Sequence, residues 1–358
     1  MEPLLTIAVP AYNAVDCLGR CLFSLLGGLS QTELGRLEVL VVDDGSTDAT
    51  AALAAAFAVR YPDAVRVISK ANGGHGSVIN LAAAEAQGRY FKVVDADDWL
   101  ANGSLPNFLQ LLADVQADAV LTAFSTIDAR DDYRQEFKLD RPRPKKHGEK
   151  SPGLLVPGQY VSLSELMRHY DQAAPLLNFH GICYRTECYR QSGAVLPEHI
   201  SYEDHAYATL PFLAVQSIMP LDLILYQYLV GQSGQSVSTE NKLKSLADLE
   251  AVYNCIHMAL VGHPHIEAAR KGFFQHQLAE LLLDYYTICL IKNPDRQVGR
   301  RKAKQMHDHI RRTDPPVAEL IDERYHNLCR LSQAGINAAT LDRLKHSRFY
   351  SYLKRLMR

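Results

Sequence analysis

The sequence predicts an α/β fold in which helices cover both faces of a mainly parallel sheet, followed by a helical C-terminal domain. Two observations predict the sheet: apolar runs without polar alternation, such as LLTIAVPAY at 4–12, and helical segments that separate successive runs. A third observation predicts the second domain, because the chain is strongly helical from about Lys242. We therefore expect one domain at 1–240 and another at 241–358.

Strands and helices alternate at short spacing through the first hundred residues. The predicted order is a strand at 4–12, a helix from about Ala14, a strand at 37–46, a helix from Thr47 to about Arg60, a strand at 65–70, a helix at 75–88 and a strand at 90–97. Gly88 is the predicted C-terminal stop of the third helix. This alternation implies right-handed crossovers and parallel pairing of the strands.

The remaining chain is less regular. A helix at 104–115 and a strand at 117–126 precede the charged, Pro-rich stretch 128–158, which is either a flexible loop or an edge hairpin. A helix near 162–170, a strand at 180–186 and a helix within 199–214 follow. The C-terminal helices are predicted near 243–261, 266–291, 296–312, 315–333 and from Ala338.

Charge is distributed unevenly although the net charge is only −2. Lys and Arg number 18 against 28 Asp and Glu in residues 1–240, and 20 against 12 in residues 241–358. The basic C-terminal part, with an apolar stripe at Leu341, Leu344, Phe349, Tyr352 and Leu356, is interpreted either as a contact with an anionic membrane surface or as a helix docked on its own domain. No nucleic-acid partner is expected, because no recognised binding module accompanies the charge.

Cysteine usage and hydropathy indicate the compartment. Seven cysteines without a secretory signal favour a reducing environment over disulfide scaffolding. The longest apolar runs, such as 51–59, are far shorter than the roughly 18–20 residues of a membrane span. We expect a cytoplasmic protein, either soluble or peripheral on the inner face of the cell membrane.

The stretch FKVVDADDWL at 91–100 is the strongest chemical signal in the chain. Asp95, Asp97 and Asp98 repel one another and need a cation if they lie together in the fold. Hard carboxylate oxygens favour Mn²⁺ or Mg²⁺, which usually keep positions open for water and substrate phosphates. The stretch therefore predicts a metal site that serves a phosphate-bearing substrate.

Polar residues follow each of the first four predicted strands. Because the carboxyl ends of parallel strands meet at one edge of a sheet, we expect these residues to converge there. Asp43 and Asp44 either accept hydrogen bonds from a base or ribose, or form an Asx turn with a helix cap. The loop NGGHG at 72–76 is either an anion cradle or a simple turn.

Three segments together resemble the family 2 inverting glycosyltransferases of the GT-A fold, a Rossmann-like architecture. They are TIAVPAYNAVDCLGRCLFSLL, LEVLVVDDGSTDAT and NGGHGSVINLAAAEAQGRYFKVVDADDWL, and they span residues 4–105 in the order and spacing of that family. The resemblance weakens after residue 105. It implies a nucleoside diphosphate sugar as donor, most often a UDP-sugar.

The resemblance also implies roles for individual residues. The positions that match the nucleoside site are Pro10, Tyr12, Asp43 and Asp44, and those beside the donor are Asn72, Gly74 and Asn80. Asp95 matches the carboxylate that reaches the ribose or sugar, and Asp97 matches the metal ligand of the D-x-D motif, with Asp98 in support. Ile79 stands where the family often has an arginine, so Lys70 or His75 is a candidate for that contact with the donor phosphates.

Glu203 and Asp204 resemble the acidic pair that precedes a helix in this family. One of them is expected to act as the base on the acceptor hydroxyl, and we assign Asp204 to this role with Glu203 as the orienting residue, or the reverse. A pair of carboxylates that only stabilises a helix N-terminus is the other interpretation. His180 either faces the acceptor or packs in the core, and Trp99 either packs behind the metal strand or stacks on an acceptor sugar.

The stretch 226–238 lacks the Q-x-x-R-W sequence of processive polysaccharide synthases, and the chain lacks membrane spans, so we expect addition of one sugar to a glycan or lipid-linked acceptor. In the stretch 226–238, Gln232, Gln235 and Ser236 either contact the diphosphate or metal-bound water, or belong to a flexible loop. Two alternatives stay open. One is a sugar-nucleotide nucleotidyltransferase, and the other is a non-catalytic protein that binds sugar nucleotides or glycans.

Overall fold

The computed structural model describes residues 2–139, 155–231 and 246–344. The chain divides into two compact units, Met1–Gln232 and Ser233–Arg358. The predicted boundary at residue 240 lies outside the described residues, as do Gln232, Gln235 and Ser236. Residues 140–154 of the charged, Pro-rich stretch and the part of the predicted apolar stripe beyond residue 344 lie outside them as well.

One sheet contains all ten strands found in the described residues. The strands are β1 Leu5–Ala11, β2 Leu37–Asp43, β3 Val65–Ser69, β4 Tyr90–Val93, β5 Trp99–Leu100, β6 Ala119–Asp128, β7 Arg134–Phe137, β8 Val161–Ser162, β9 Ile182–Arg185 and β10 Ser217–Val230. Their order is β3-β2-β1-β4-β9-β6-β10-β5, with β7 paired to β6 and β8 paired to β10.

The sheet is mixed, with a parallel half formed by β3, β2, β1 and β4. The register aligns Ala11 with Asp43 and Asp43 with Ser69, so these strands end at the same edge. Strand β9 then runs antiparallel to both β4 and β6. The predicted parallel pairing therefore holds for the first four strands, and β9 introduces antiparallel pairing between β4 and β6.

The first unit has nine α-helices within the described residues. They are α1 Val15–Leu26, α2 Gln31–Leu34, α3 Thr50–Arg60, α4 His75–Glu85, α5 Ser104–Asp114, α6 Leu163–Arg168, α7 Tyr170–Ala173, α8 Thr186–Gln191 and α9 Asp204–Thr209. Every residue of β1 and β2 is buried, in agreement with their unbroken apolar sequences. Of the two interpretations of the stretch 128–158, the described part corresponds to the edge hairpin, because β7 pairs antiparallel with β6.

Gly88 has a different role from the predicted helix stop. Helix α4 ends at Glu85, and its C-cap residue is Ala86, with φ −54° and ψ 133°. The Gly88 N–H donates a 2.8 Å hydrogen bond to Thr6 Oγ1, and a Cβ atom at residue 88 would collide with the backbone of Thr6. Gly88 therefore allows the chain entering β4 to approach β1 closely.

The described residues of the second unit form helices joined by short connections. Its helices are α10 Leu246–Val261, α11 Ala268–Thr287, α12 Arg296–Thr313, α13 Pro315–Gln333 and α14 Ala338–Leu344, with a π-helical turn at Ile288–Lys292. Helix α11 packs against α10 and α13, and α12 packs against α13. Among the described residues, no helix combines the length and apolar character needed to cross a bilayer.

Candidate active site

The polar clusters predicted at four strand ends lie at one edge of the sheet. The Asp44 N–H donates to the Ala11 carbonyl at 2.8 Å, and the Lys70 N–H donates to the Asp43 carbonyl at 2.9 Å. These bonds continue the pairing of β1, β2 and β3 one step past the strands. Pro10 is buried in β1, whereas the side chain of Tyr12 is 53% exposed at the edge.

Asp44 is buried and is bonded to the glycine loop. Its Oδ1 atom accepts hydrogen bonds from Lys70 Nζ at 2.8 Å and from the Gly73 N–H at 3.0 Å, and its Oδ2 atom accepts from the Gly74 N–H at 2.8 Å. Asn72 Nδ2 donates to the Asp44 carbonyl at 3.0 Å. Two N–H groups of the loop at 72–76, for which an anion cradle was one of two interpretations, are therefore directed at a carboxylate of the protein itself.

The neighbouring carboxylate, Asp43, forms the predicted turn. Its Oδ1 atom accepts a hydrogen bond from the Ser46 N–H at 3.2 Å. Asp43 does not cap the following helix: its N-cap residue is Ala49, and the Thr50 N–H donates to Asp48 Oδ1 at 2.9 Å. Asp43 thus stabilises the turn after β2 and leaves the start of α3 to Asp48.

Asn80 lies on α4 and pairs with the backbone of Leu196. Its Oδ1 atom accepts from the Leu196 N–H at 2.8 Å, and its Nδ2 donates to the Leu196 carbonyl at 3.0 Å. Both ends of the amide are therefore engaged with the segment that leads to the acidic pair. In this structure Asn80 anchors that segment to α4.

Asp95, Asp97 and Asp98 form the one group of three or more potential metal ligands found among the described residues. One ligand oxygen from each lies within 4.8 Å of the others. Asp95 and Asp97 are partly exposed, whereas Asp98 is buried. This set of hard oxygen atoms fits an ion of the Mn²⁺ or Mg²⁺ class, with the two partly exposed carboxylates accessible to it.

Asp98 is held by strand β10. Its Oδ2 atom accepts a 2.6 Å hydrogen bond from Tyr226 Oη, and its Oδ1 atom accepts from the Leu229 N–H at 2.7 Å. Burial, together with the charges of Asp95 and Asp97, raises the pKa of Asp98 well above its usual value. A cation beside the cluster would oppose this shift.

His75 connects the aspartate cluster to the acidic pair. Its Nε2 atom lies 2.9 Å from Asp95 Oδ1, and its Nδ1 atom lies 2.5 Å from Glu203 Oε1. Burial opposes the charge of the ring, but the two carboxylates outweigh burial and raise the pKa of His75 well above its usual value. The imidazolium form is thus favoured, and it donates a hydrogen bond to each carboxylate.

Glu203 and Asp204 lie at the start of α9. Glu203 is the N-cap residue and is buried, whereas Asp204 is the first helical residue and is partly exposed. A third residue from outside the first hundred, Tyr226, also reaches the cluster, because the Asp95 N–H donates to Tyr226 Oη at 3.1 Å. The structure thus brings the acidic pair and Tyr226 to the edge that carries Asp95.

His180 packs among aromatic rings. It stacks on Tyr228 at a centroid distance of 4.2 Å and on Phe124 at 5.2 Å. Burial lowers the pKa of His180 to about 4, so the ring is neutral at neutral pH. Of the two interpretations of His180, a residue that faces the acceptor or one that packs in the core, this geometry corresponds to the second.

Trp99 lies on β5 beside the cluster and is covered by Arg20. The guanidinium carbon of Arg20 lies 3.9 Å from the centre of the Trp99 ring, and Arg20 also donates a 2.5 Å hydrogen bond to the Asp97 carbonyl. The cation on the ring and the bond to the backbone support the segment that carries Asp97. This contact corresponds to the packing interpretation of Trp99, whose alternative was a ring that stacks on an acceptor sugar.

Two residues near the cluster were missed by sequence reasoning. Tyr226 is separated from Asp98 by 128 positions, and no local pattern announces their contact. Lys92 is fully buried in β4, where its Nζ atom donates to the carbonyl oxygens of His180 and Ile182 at 2.8 and 3.2 Å. Burial lowers the pKa of Lys92 to about 8. A charged residue inside the apolar run FKVV was the available signal for it.

Lys70 and His75 were the two candidates to replace the missing arginine at residue 79. Lys70 Nζ contacts Asp44, the Ala71 carbonyl at 2.7 Å and Ser77 Oγ at 2.8 Å. Both ring nitrogens of His75 are hydrogen-bonded to carboxylates. Both side chains are therefore engaged with groups of the protein itself.

Comparison with known proteins agrees with the predicted fold and class. Residues 6–169 match the family described as Glycosyl transferase family 2. The chain is 26% identical over 324 residues to the uncharacterized glycosyltransferase EpsJ of Bacillus subtilis. The alignment covers 87% of this chain and 86% of EpsJ.

Solved structures show the same architecture. The S. aureus TarS 1-349 structure in complex with UDP-GlcNAc has a TM-score of 0.58 at 21% identity and covers 92% of this chain and 87% of that one. The mannosyltransferase PcManGT from Pyrobaculum calidifontis, in complex with GDP-Man and Mn²⁺, has a TM-score of 0.51 at 18% identity and covers 97% and 89%. At these identities the likeness establishes the GT-A fold.

Proposed function

We propose that this chain, a family 2 glycosyltransferase, transfers one sugar from a nucleoside diphosphate sugar to a glycan or lipid-linked acceptor, with inversion and with Mn²⁺ or Mg²⁺. One observation carries the proposal: the aspartate cluster and the acidic pair meet at a single edge of the sheet through His75. Inverting transfer requires both groups, one beside the departing diphosphate and one beside the acceptor hydroxyl.

The proposed donor is a UDP-sugar. Support comes from TarS, which shares the fold and was crystallised with UDP-GlcNAc, while the complex of PcManGT with GDP-Man makes a GDP-sugar the second candidate. In this proposal the exposed ring of Tyr12 contacts the base, and Pro10 and Asp43 shape the nucleoside site. Asp44, Asn72, Gly74 and Asn80 hold the loop and helix beside the donor through the contacts described above.

Asp97 and Asp95 are the proposed metal ligands, and Asp98 supports them from β10. When bound, the metal supplies positive charge that stabilises the departing diphosphate. Asp95 retains one oxygen atom on His75 and offers the other to the metal or the donor sugar. Arg20 holds the backbone of Asp97, so the ligand segment is supported on both of its sides.

Asp204 is the proposed base that removes the proton from the acceptor hydroxyl. It begins α9 and is partly exposed, whereas Glu203 is buried and bonded to His75. Glu203 is therefore the orienting residue in this proposal. The carboxylate of Asp204 accepts the proton as the acceptor oxygen attacks from the face opposite the diphosphate.

Addition of a single sugar and a location at the inner face of the membrane are also proposed. The exposed residues Arg301, Lys302 and Arg312 of α12 are the candidates for contact with anionic lipid. Other basic residues of this helix are bonded within the unit. Arg300 donates to the Ser332 carbonyl at 2.9 Å, and Arg311 pairs with Asp322 at 2.6 Å.

The test is a thermal-shift screen of nucleotide sugars with and without Mn²⁺. The proposal expects one nucleoside diphosphate sugar to raise the melting temperature of the protein by several degrees, and to do so only with the metal. The sugar so found is then used in a transfer reaction, with the anomeric configuration of the product determined by NMR. Absence of stabilisation by every nucleotide sugar, or a product with retained configuration, contradicts the proposal.

The two alternatives make different predictions in the same experiment. A nucleotidyltransferase would form a sugar nucleotide from a nucleoside triphosphate and a sugar phosphate. The name of the relative EpsJ, a glycosyltransferase, does not favour this alternative. A non-catalytic protein that binds sugar nucleotides would be stabilised without releasing the nucleoside diphosphate. Measurement of nucleoside diphosphate release therefore separates the proposed transferase from both alternatives, and formation of a sugar nucleotide from the nucleoside triphosphate separates the two alternatives from each other.

A further inference from the structure

His75 lies where three separate segments of the chain meet. It is the first residue of α4, and its ring nitrogens face Asp95 after β4 and Glu203 at the start of α9. The ring of Phe179 packs beside it at a centroid distance of 5.8 Å. A single side chain thus links the proposed metal side of the site to the proposed base side.

The backbone that carries His75 is held from both sides. Gly74, immediately before it, has a φ of +80° and donates its N–H to Asp44. The His199 N–H donates to the Gly73 carbonyl at 2.9 Å, and a Cβ atom at residue 74 would lie 3.0 Å from the His199 nitrogen. The position of the imidazole is therefore determined by the packed loop that precedes it.

The contact with His75 determines where the side chain of Glu203 lies. Glu203 is 6% exposed, and its Oε1 atom lies 2.5 Å from His75 Nδ1. The carbonyl of Glu203 accepts the Tyr207 N–H at 2.9 Å and so belongs to the first turn of α9. Holding the N-cap residue against α4 sets the direction in which the next residue, Asp204, leaves the helix start.

The second nitrogen of His75 holds the other half of the site. Asp95 Oδ1 lies 2.9 Å from His75 Nε2, and the Asp95 N–H donates to Tyr226 Oη. With both ring nitrogens bonded to carboxylates, the ring has no further polar atom for a donor phosphate. His75 therefore does not supply the contact with donor phosphates that an arginine at residue 79 would make.

We propose that His75 is a positioning residue that acts through Glu203: by bridging Glu203 to Asp95, it keeps Asp204 at a fixed place relative to the metal and the donor. The inference rests on the function proposed above. We expect His75 to affect the rate of transfer from bound donor, because misplacement of a base by about 1 Å costs on the order of 100-fold in rate.

A double-mutant cycle of His75→Ala and Glu203→Gln tests this inference in the full-length chain. The rate constant kcat for transfer and the dissociation constant of the nucleotide sugar are measured for the wild type, both single variants and the double variant. The expected result is that each single variant lowers kcat by about 10- to 100-fold, while donor affinity changes less than about threefold. When His75 is already alanine, adding Glu203→Gln should lower kcat by less than about a further threefold, because the contact between the two residues is already lost.

Two results overturn the inference. One is an effect of Glu203→Gln that is equally large with and without His75, since the two residues would then act independently. The other is a loss of donor affinity in His75→Ala that accounts for the whole loss of activity, since His75 would then contact the donor. A purely structural contribution would lower the melting temperature without this pattern in kcat.

Control variants separate this inference from the proposed function. Asp204→Asn should abolish transfer while leaving donor binding intact, and this result supports the proposed function whatever His75 does. Wild-type protein that transfers no sugar overturns both. If His75→Ala does not fold, His75→Gln replaces it in the same cycle, since the amide has a single nitrogen and cannot place one at both ring-nitrogen positions.

Discussion

The hydroxyl of Tyr226 donates a 2.6 Å hydrogen bond to Asp98 Oδ2 and also accepts the backbone N–H of Asp95 at 3.1 Å. Strand β10 therefore holds both ends of the turn that carries the aspartates. The Leu229 N–H, three residues further along β10, completes the contact with Asp98 at 2.7 Å. Asp97 lies within this supported turn.

Replacing Tyr226 with phenylalanine should weaken both stability and metal use. The change leaves the Asp95 N–H without its acceptor and removes one of the hydrogen bonds to the buried Asp98. We expect a loss of about 1–3 kcal/mol in the free energy of unfolding, measured by urea denaturation. The Mn²⁺ concentration for half-maximal transfer should rise.

Tyr228→Phe is the matched control for Tyr226→Phe, because it removes a hydroxyl two positions along the same strand. The Tyr228 ring stacks on His180, and this contact survives the change. An equal loss of stability and of Mn²⁺ use in both variants would contradict the role assigned to Tyr226.

Asp97→Asn should remove metal-dependent activity without unfolding the protein. Asp97 is partly exposed, so the loss of its charge should change the melting temperature little. Transfer at saturating donor should fall by at least about 100-fold, because a metal ligand and its charge are lost together. A titration of the rate with Mn²⁺ checks this, with Asp16→Asn on the exposed side of α1 as the control for charge removal. Normal rates at low Mn²⁺ would rule out Asp97 as the ligand.

Asp44→Asn should loosen the glycine loop. The buried carboxylate accepts from Lys70, Gly73 and Gly74, and an amide must direct its NH₂ group at one of these donors. We expect a loss of about 2–3 kcal/mol in the free energy of unfolding and weaker binding of the nucleotide sugar. Denaturation and calorimetric titration measure the two effects. Unchanged values for both would mean that the loop is held by other contacts.

His180 should make the stability of the first unit sensitive to acid. Its pKa is about 4 in the fold and about 6.5 in the unfolded chain, so the unfolded state binds the proton more tightly. The stabilisation is fully present above about pH 6.5 and is lost as the pH falls through about 4. The loss attributable to His180 approaches about 3 kcal/mol at about pH 4.

A His180→Phe variant isolates this contribution. Phenylalanine keeps a ring against Phe124 and Tyr228 and does not titrate. Urea denaturation at about pH 7 and about pH 4 should therefore show a smaller loss of stability in the variant than in the wild type. Equal losses would mean that the fold does not lower the pKa of His180.

The first four strands were predictable because each one is a local apolar run. Parallel order of these strands is enough to place the polar residues that follow β1 to β4 at one edge of the sheet. The bonds of Asp44 to Lys70 and of Asp95 to His75 lie at that edge. Local periodicity and one topological rule were sufficient for this part of the site.

The rest depends on contacts between distant parts of the chain. Tyr226 meets Asp98 across 128 positions, and Asn80 meets Leu196 across 116, and no local pattern specifies either pair. The insertion of β9 between β4 and β6 likewise follows from packing rather than from alternation of strands and helices. Gly88 was assigned to a helix end because a close approach to Thr6 leaves no trace in the nearby sequence.

The central claim is metal-dependent transfer from a nucleoside diphosphate sugar at the edge that carries Asp97 and Asp204. The most direct measurement is the release of nucleoside diphosphate in the presence of acceptor, with Mn²⁺ and with chelator, for the wild type, Asp97→Asn and Asp204→Asn. We predict release by the wild type with Mn²⁺ only, and a loss of at least about 100-fold in both folded variants. Release that persists with chelator, or in both variants, would contradict the claim.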